Sequence, residues 1–407
     1  MKALGMIAPV MNPHTLTAGV AALFLAVSLF SHTVAARLLL LAAGIVLAAL
    51  AIARSRDLRP LPPIWIPFAL WAGWAALSLA WSLEPDRSLK EFRNEAFYTG
   101  GALWICYVGA QSRHAAHIFL PVIAAAALTA CAMAIYDFSQ GFVYYQRGWH
   151  GGPGNHSSAL LTLMPCTAMA GWYAARARWP LWASFSVWAL AALFFASAYT
   201  TLNRTIWLGF AVEFIVLGVL LMRRGAVSAR SKLILIAFAV AALAGSGAMI
   251  LNIQAERQAI GAARALEQDS RLALWPEIVE RIGERPLTGY GFGRGLLRGS
   301  LREEFGALEP YLWHAHNLFL EALLQTGAPG LILLLLLLGA ILREGWRFAR
   351  DADESTAACG IALIGVVAGM LVRNMTDTLL VRQNALLFWG VVGVLLGLAA
   401  RPWRTSS

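Results

Sequence analysis

Two histidines stand two residues apart where a long apolar run begins, in Trp313-His314-Ala315-His316-Asn317-Leu318. An imidazole titrates near neutral pH, so it can take a proton from a hydroxyl attacking an electrophile. His316, at the mouth of the run, is the candidate general base. His314 lies two residues earlier and cannot share its helical face, which leaves it a supporting or loop position. Asn317 adds a neutral hydrogen-bonding group beside the base. Asp377 is the candidate late carboxylate, placed either to orient the imidazole or to pair with an arginine. Arginines recur near these groups: Arg204 in Asn203-Arg204-Thr205, Arg271 in Arg271-Leu-Ala-Leu-Trp275, and Arg373 and Arg382 on either side of Asp377. The guanidinium fork donates paired hydrogen bonds to phosphate oxygens and keeps its charge, so two or three of them could clamp a diphosphate. Arg204 and Arg271 lead this set, and Arg373, Arg382, Arg281 and Arg285 follow. Each single arginine also admits a plainer reading, as a headgroup contact or a snorkelling side chain.

The elements that position these groups are helices in lipid. The chain has 407 residues, 59% of them hydrophobic and only 13% charged, and its mean hydropathy is +0.64. That is too much apolar surface for a water-soluble core. Lipid admits only helices or closed barrels, and the long unbroken apolar runs exclude the alternating strands of a barrel. Twelve runs are expected to span: 15-31, 36-53, 63-81, 96-110, 115-136, 157-175, 180-199, 204-222, 232-251, 316-342, 356-373 and 383-400. With the N-terminus inside, the termini and inner connections carry sixteen basic residues against eight in the short outer connections, so both termini are expected in the cytoplasm. The chain then divides into helices 1-9 (1-251), one large outer loop (252-315), and helices 10-12 with a short tail (316-407). Within the loop, Glu256 to Leu266 and Leu272 to Ile282 have helical spacing with mixed charge, as short amphipathic helices over the membrane mouth would. Lys2 and the first apolar run resemble a signal peptide, but the eleven runs that follow favour an uncleaved first helix.

Several other patterns have weaker claims on chemistry. The four cysteines, Cys106, Cys131, Cys166 and Cys359, all lie in apolar runs with no metal-ligand spacing, and read as buried thiols. Gly289, Gly291 and Gly293 spell GxGxG, but no strand precedes them, so they suit a tight turn better than a nucleotide loop. Asp351-Ala-Asp353 matches a metal-holding DxD, yet falls on the inner side as a solvated loop. The net charge of +10 is spread over arginines set singly between helices, not clustered with aromatics, which argues against nucleic acid. Glu213 and Asp137, ionisable at or near membrane depth, are the argument for a transporter; pairing of Glu213 with an arginine of a neighbouring helix is the simpler expectation.

Taken in order, Trp81-Ser-Leu-Glu-Pro-Asp-Arg-Ser-Leu89, Asn203-Arg204-Thr205, the loop with Arg271, Pro286-Leu-Thr-Gly-Tyr-Gly-Phe-Gly293, and His314-Ala-His316-Asn317 followed by Gly327 resemble the O-antigen ligase and polymerase superfamily of bacterial envelope enzymes. The resemblance runs from about residue 75 to 390. It implies an all-α, polytopic, GT-C-like glycosyltransferase of the inner membrane, with one large periplasmic loop and an active site on that face. In the ligases the O-antigen glycan passes from undecaprenyl diphosphate to the lipid A-core oligosaccharide, without nucleotide, metal or other cofactor. The resemblance assigns Arg204 and Arg271 to the diphosphate, His316 to acceptor activation and Asp377 to the late carboxylate. One departure is Asn203, where the family often has Ser. The chemistry agrees with this independently: a sugar diphosphate carries a good leaving group, so the protein must mainly neutralise charge and deprotonate an acceptor hydroxyl. Direct displacement inverts the anomeric carbon, and no carboxylate pair suits a double displacement. The rivals are an O-antigen polymerase, a protein O-oligosaccharyltransferase and a lipid-linked glycan transporter.

Overall fold

The apolar runs become helices whose ends are set by side chains that satisfy orphan backbone amides. Asn12 accepts from the His14 amide ahead of Pro13, Asn203 from Thr205, Asn317 from Phe319 and Leu320, and Asp353 from Thr356. A computed structural model of the chain describes residues 12–141, 153–225, eight positions between 233 and 247, 270–301 apart from 295, 297 and 298, 314–378 and 380–401. Thirteen α-helices lie in these residues: α1 Pro13–Ser28, α2 Val34–Arg54, α3 Trp65–Leu77, α4 Pro85–Phe92, α5 Tyr98–Ala110, α6 Ala115–Ser139, α7 Pro153–Arg176, α8 Leu181–Thr200, α9 Arg204–Arg223, α10 Ser270–Glu284, α11 Leu318–Ala349, α12 Glu354–Asn374 and α13 Arg382–Ala399. A 3-10 turn, Ser78–Trp81, extends α3, and a π-helical turn, Arg93–Phe97, joins α4 to α5.

Seven described helices are long and apolar enough to cross a membrane: α2, α6, α8, α9, α11, α12 and α13, with the window in α9 starting at Thr205. The protein is therefore an all-α, multi-pass membrane protein. Other expected spans are shorter or less apolar here, such as the 13-residue α5, and most of the expected ninth span lies outside the described residues. So does the first expected amphipathic loop helix, Glu256 to Leu266. The second is present, within α10.

The last helix, α13, lies along α5, and α12 packs against α7, α9 and α11. Gly393 and Gly397 bring the α13 backbone against the Leu103 and Tyr107 carbonyls of α5, an approach any side chain would block. The four cysteines are free thiols, as expected, but only Cys106 and Cys131 are fully buried, and Cys166 and Cys359 are half-buried. Glu213 corrects an expectation. Its side chain is buried against Gly369 of α12, and neither carboxylate oxygen has a hydrogen-bond partner among the described residues, so no arginine there pairs with it.

The connections gather at two opposite ends of the helices. At one end, Gln111 bonds the Arg59 backbone, Arg176 pairs with Glu354, Arg224 donates to the Ala349 and Asp351 carbonyls, and Arg401 donates to Ala110. Asp351 and Asp353 belong to this end. Asp353 Oδ2 caps α12 and also accepts from Ser355, so the DxD pattern is a helix start. The other end holds the 3-10 turn, α4, α10 and both histidines.

Candidate active site

The segment 286–293 reaches the site by crossing a break in α11. At Gly327 (φ 65°, ψ −173°) the helix leaves helical geometry, a combination open in practice to glycine alone. The amides and carbonyls freed by the break are met from the crossing segment: Tyr290 N–H donates to Leu324 O (2.9 Å), Gly291 N–H to Gln325 O (2.8 Å), and Ala328 N–H to Pro286 O (2.7 Å). Gly289 and Gly327 lie so close to the opposing backbones that neither could carry a Cβ. The Trp81-Leu89 segment closes over the same crossing. Trp74 and Trp81 donate to the Thr326 and Thr288 carbonyls, Leu83 N–H donates to Tyr290 O, and Glu84 accepts from Ser300.

From this platform the chain enters α11 through the two histidines. Trp275 of α10 donates to Ala315 O (2.9 Å), and Glu321 accepts from Ala315 N–H (2.6 Å), which pins the entry from both sides. His316 takes a left-handed conformation (φ 51°), uncommon outside glycine though histidine is among the residues enriched there. That fold-back overturns the expected separation of the two side chains. The helix starts only at Leu318, so helical spacing does not govern them, and their rings sit with centroids 4.2 Å apart.

Both rings face Asp377. Its Oδ1 lies 3.4 Å from His314 Nε2 and 3.9 Å from His316 Nδ1, while its Oδ2 accepts from Arg373 Nη2 at 2.7 Å. Arg373 is only 3% exposed, so it serves as the buried counter-ion of Asp377, not as an open phosphate clamp. Burial raises the Asp377 pKa, but Arg373 and then the two imidazoles outweigh it and hold this carboxyl well below the usual range. Burial lowers His314 to about 3, helped by His316, Arg294 and Arg373, against the pull of Asp377. His314 is therefore neutral at physiological pH.

Among the described residues, His314, His316 and Asp377 are the set that could hold a metal ion, with ligand atoms within 4.8 Å of one another. Their own hydrogen bonds already occupy much of it. His314 Nδ1 accepts from His316 N–H (3.1 Å), which puts the proton of the neutral ring on Nε2, facing Asp377. Arg373 holds the other carboxylate oxygen and adds a fixed positive charge.

The remaining candidates separate. The Asn317 amide is committed to structure: Oδ1 caps α11 and Nδ2 donates to Met375 O (3.2 Å). Arg382 is exposed at the start of α13, and the described contacts do not join it to the cluster. Arg281 pairs with Glu284, and Arg285 stacks on Tyr290. Arg204 opens α9, and Arg271 lies in the first turn of α10. Arg294, which no motif marks in the sequence, follows the glycines and lies near enough to Glu95, Glu321 and His314 to interact with each.

Residues 189–335 match the family model described as O-antigen ligase. No curated protein matches the chain. The match takes in α9, α10, the glycine crossing, both histidines and the break in α11, and stops short of Arg373 and Asp377. Over these residues the chain is similar to the O-antigen ligase family.

Proposed function

We propose that the protein is an O-antigen ligase, transferring the glycan of an undecaprenyl-diphosphate-linked donor to a lipid A-core acceptor at the periplasmic face of the inner membrane, with inversion and without a metal. The reading rests on one observation above all: within and beside the residues that match the family model, two histidines share one half-buried carboxylate at the mouth of a broken membrane helix. His316 is the acting base because its side chain is 25% exposed, against 11% for His314. With its Nδ1–H turned to Asp377, its Nε2 takes the proton from the acceptor hydroxyl. The hydroxyl oxygen then bonds to the anomeric carbon as that carbon's bond to the diphosphate oxygen breaks. Asp377 stabilises the imidazolium formed in this step. Arg204 and Arg271 bind the leaving diphosphate, and the polyprenyl chain lies among the helices. The topology that goes with this reading has twelve spans, both termini in the cytoplasm and the histidine end outside.

The test is a transfer assay with purified protein, lipid-linked glycan and three acceptors: lipid A-core, a second lipid-linked glycan, and a pilin-like protein. Transfer to lipid A-core is the expected result. Transfer only to the second glycan or only to the protein reassigns the enzyme as a polymerase or a protein oligosaccharyltransferase, and transfer to none overturns the enzymatic reading. Activity is expected to persist in excess chelator; its loss would return the histidine cluster to consideration as a metal site.

A further inference from the structure

Beside the histidine cluster lies a narrow cleft of about 40 Å³, walled on its apolar side by Trp71, Phe292 and Trp389. Its polar side holds Glu95, Arg294, Glu321, Gln325 and Thr378. Thr378 directly follows Asp377 and gives it a backbone hydrogen bond (2.8 Å), so the cleft adjoins the proposed reaction centre.

Two of these polar groups are accounted for internally. Glu321 accepts from Ala315 N–H and from Gln325 Nε2, and Gln325 Oε1 accepts from Gly293 N–H. Two others are not. Glu95 Oε1 and Thr378 Oγ1 are buried without a hydrogen-bond partner among the described residues, and their residues are 6% and 3% exposed. A buried acceptor and a buried hydroxyl left open at one cleft are costly unless something fills them. Glu95 also lies in the π-helical turn, a local irregularity that often marks functional positions.

Three carboxylates gather here, Glu95 and Glu321 with Glu91 beside Glu95, against the single guanidinium of Arg294. With burial holding Glu95 well above the usual carboxylate range, that set offers a phosphate one cation only. It suits a neutral polyol, which donates hydroxyls to carboxylates and lays its C–H faces on aromatic rings. The space would hold roughly three waters, which matches the hydroxyl edge of one ring and not an oligosaccharide.

We propose that this cleft is a monosaccharide subsite, in which Glu95 and Thr378 bind hydroxyls of the sugar ring next to the bond being made or broken. The inference rests on the transferase reading above, and it places a sugar from either the donor or the acceptor in this cleft.

The test uses the full-length protein with Glu95→Gln, Thr378→Val and Thr378→Ser. Transfer kinetics are measured against lipid-linked glycan and against acceptor. In parallel, tryptophan fluorescence follows the binding of lipid-linked glycan, acceptor and sugar-free undecaprenyl diphosphate. Glu95→Gln and Thr378→Val should each raise KM, and weaken binding, by about tenfold for one sugar substrate. Thr378→Ser should stay near wild type, and sugar-free undecaprenyl diphosphate should bind every variant equally. The donor arm moving assigns the donor's first sugar, and the acceptor arm moving assigns the acceptor ring. If neither arm moves, or if the sugar-free lipid weakens as much as the glycan, the subsite is refuted. Should wild type transfer to no acceptor, the transferase reading fails on that result alone, while the binding titrations still decide whether the cleft holds sugar.

Discussion

Replacing Asp377 by asparagine separates the two tasks that one carboxylate performs. Its Oδ2 neutralises Arg373, which is 3% exposed, and its Oδ1 faces both imidazoles. Leaving a buried charge without its counter-ion typically costs 3–5 kcal/mol. Asp377 is itself 22% exposed in its side chain, and an asparagine oxygen can still accept one bond from Arg373, so a loss of about 2 kcal/mol is expected. Transfer should fall on the order of 100-fold with the donor KM little changed, because the imidazolium loses its stabilising charge. The double variant Arg373→Met with Asp377→Asn removes the stranded cation. Its thermal midpoint in detergent should recover most of the lost stability, while transfer stays low. Recovery of transfer together with stability would refute the reasoning, since Asp377 would then matter only as the partner of Arg373.

Gly327→Ala should destabilise the protein by about 3 kcal/mol, because alanine gains a strained backbone as well as a collision with the Leu287 carbonyl region. Thermal unfolding in detergent checks it, and an unchanged midpoint would mean the break is not fixed as described. The cluster also sets a pH dependence. His314 is held near 3 in the folded protein, below its ordinary 6.5, so the unfolded chain binds the extra proton first and stability falls as pH drops from about 6.5 towards 3. The depressed Asp377 acts in the same direction at the lower end, its stabilisation being lost as pH falls below the ordinary carboxylate range. His314→Asn should flatten the decline between pH 6.5 and 4 in midpoint-against-pH measurements; an unaltered slope would assign the decline elsewhere.

The membrane helices were legible because apolar runs of spanning length have few other folded outcomes, but the run 316-342 read as one span and gave no sign of the break at Gly327. What the break is bonded to was not legible, since Tyr290 and Leu324 meet through backbone atoms that any residues possess. Spacing misplaced His314 because a helical rule was applied before the helix begins, and nothing in the residue types announces the left-handed turn at His316. Arg373 and Asp377 stand one helical turn apart, so their pairing was within reach of the sequence, but the burial that makes Arg373 a counter-ion was not. Glu95 reads as one charge in the solvated-looking stretch Lys90-Glu91-Phe92-Arg93-Asn94-Glu95 until the π-helical turn buries it.

The break in α11 also defines what can be exchanged between related chains. From Leu318 to Thr326 the helix is too short to cross a bilayer, whereas the part from Ala328 to Ala349 rises roughly 33 Å at 1.5 Å per residue and can do so alone. The first part thus belongs with the segment 286–293 that supplies its hydrogen bonds, and only the second is a membrane anchor. A chimera joined where hydropathy first rises, at 316, would take His314 and the crossing segment from one parent and His316 with the helix break from the other. A junction just after Gly327 carries the crossing, the histidines and the break as one inheritance, and is the seam along which substrate preference could be moved without rebuilding the anchor.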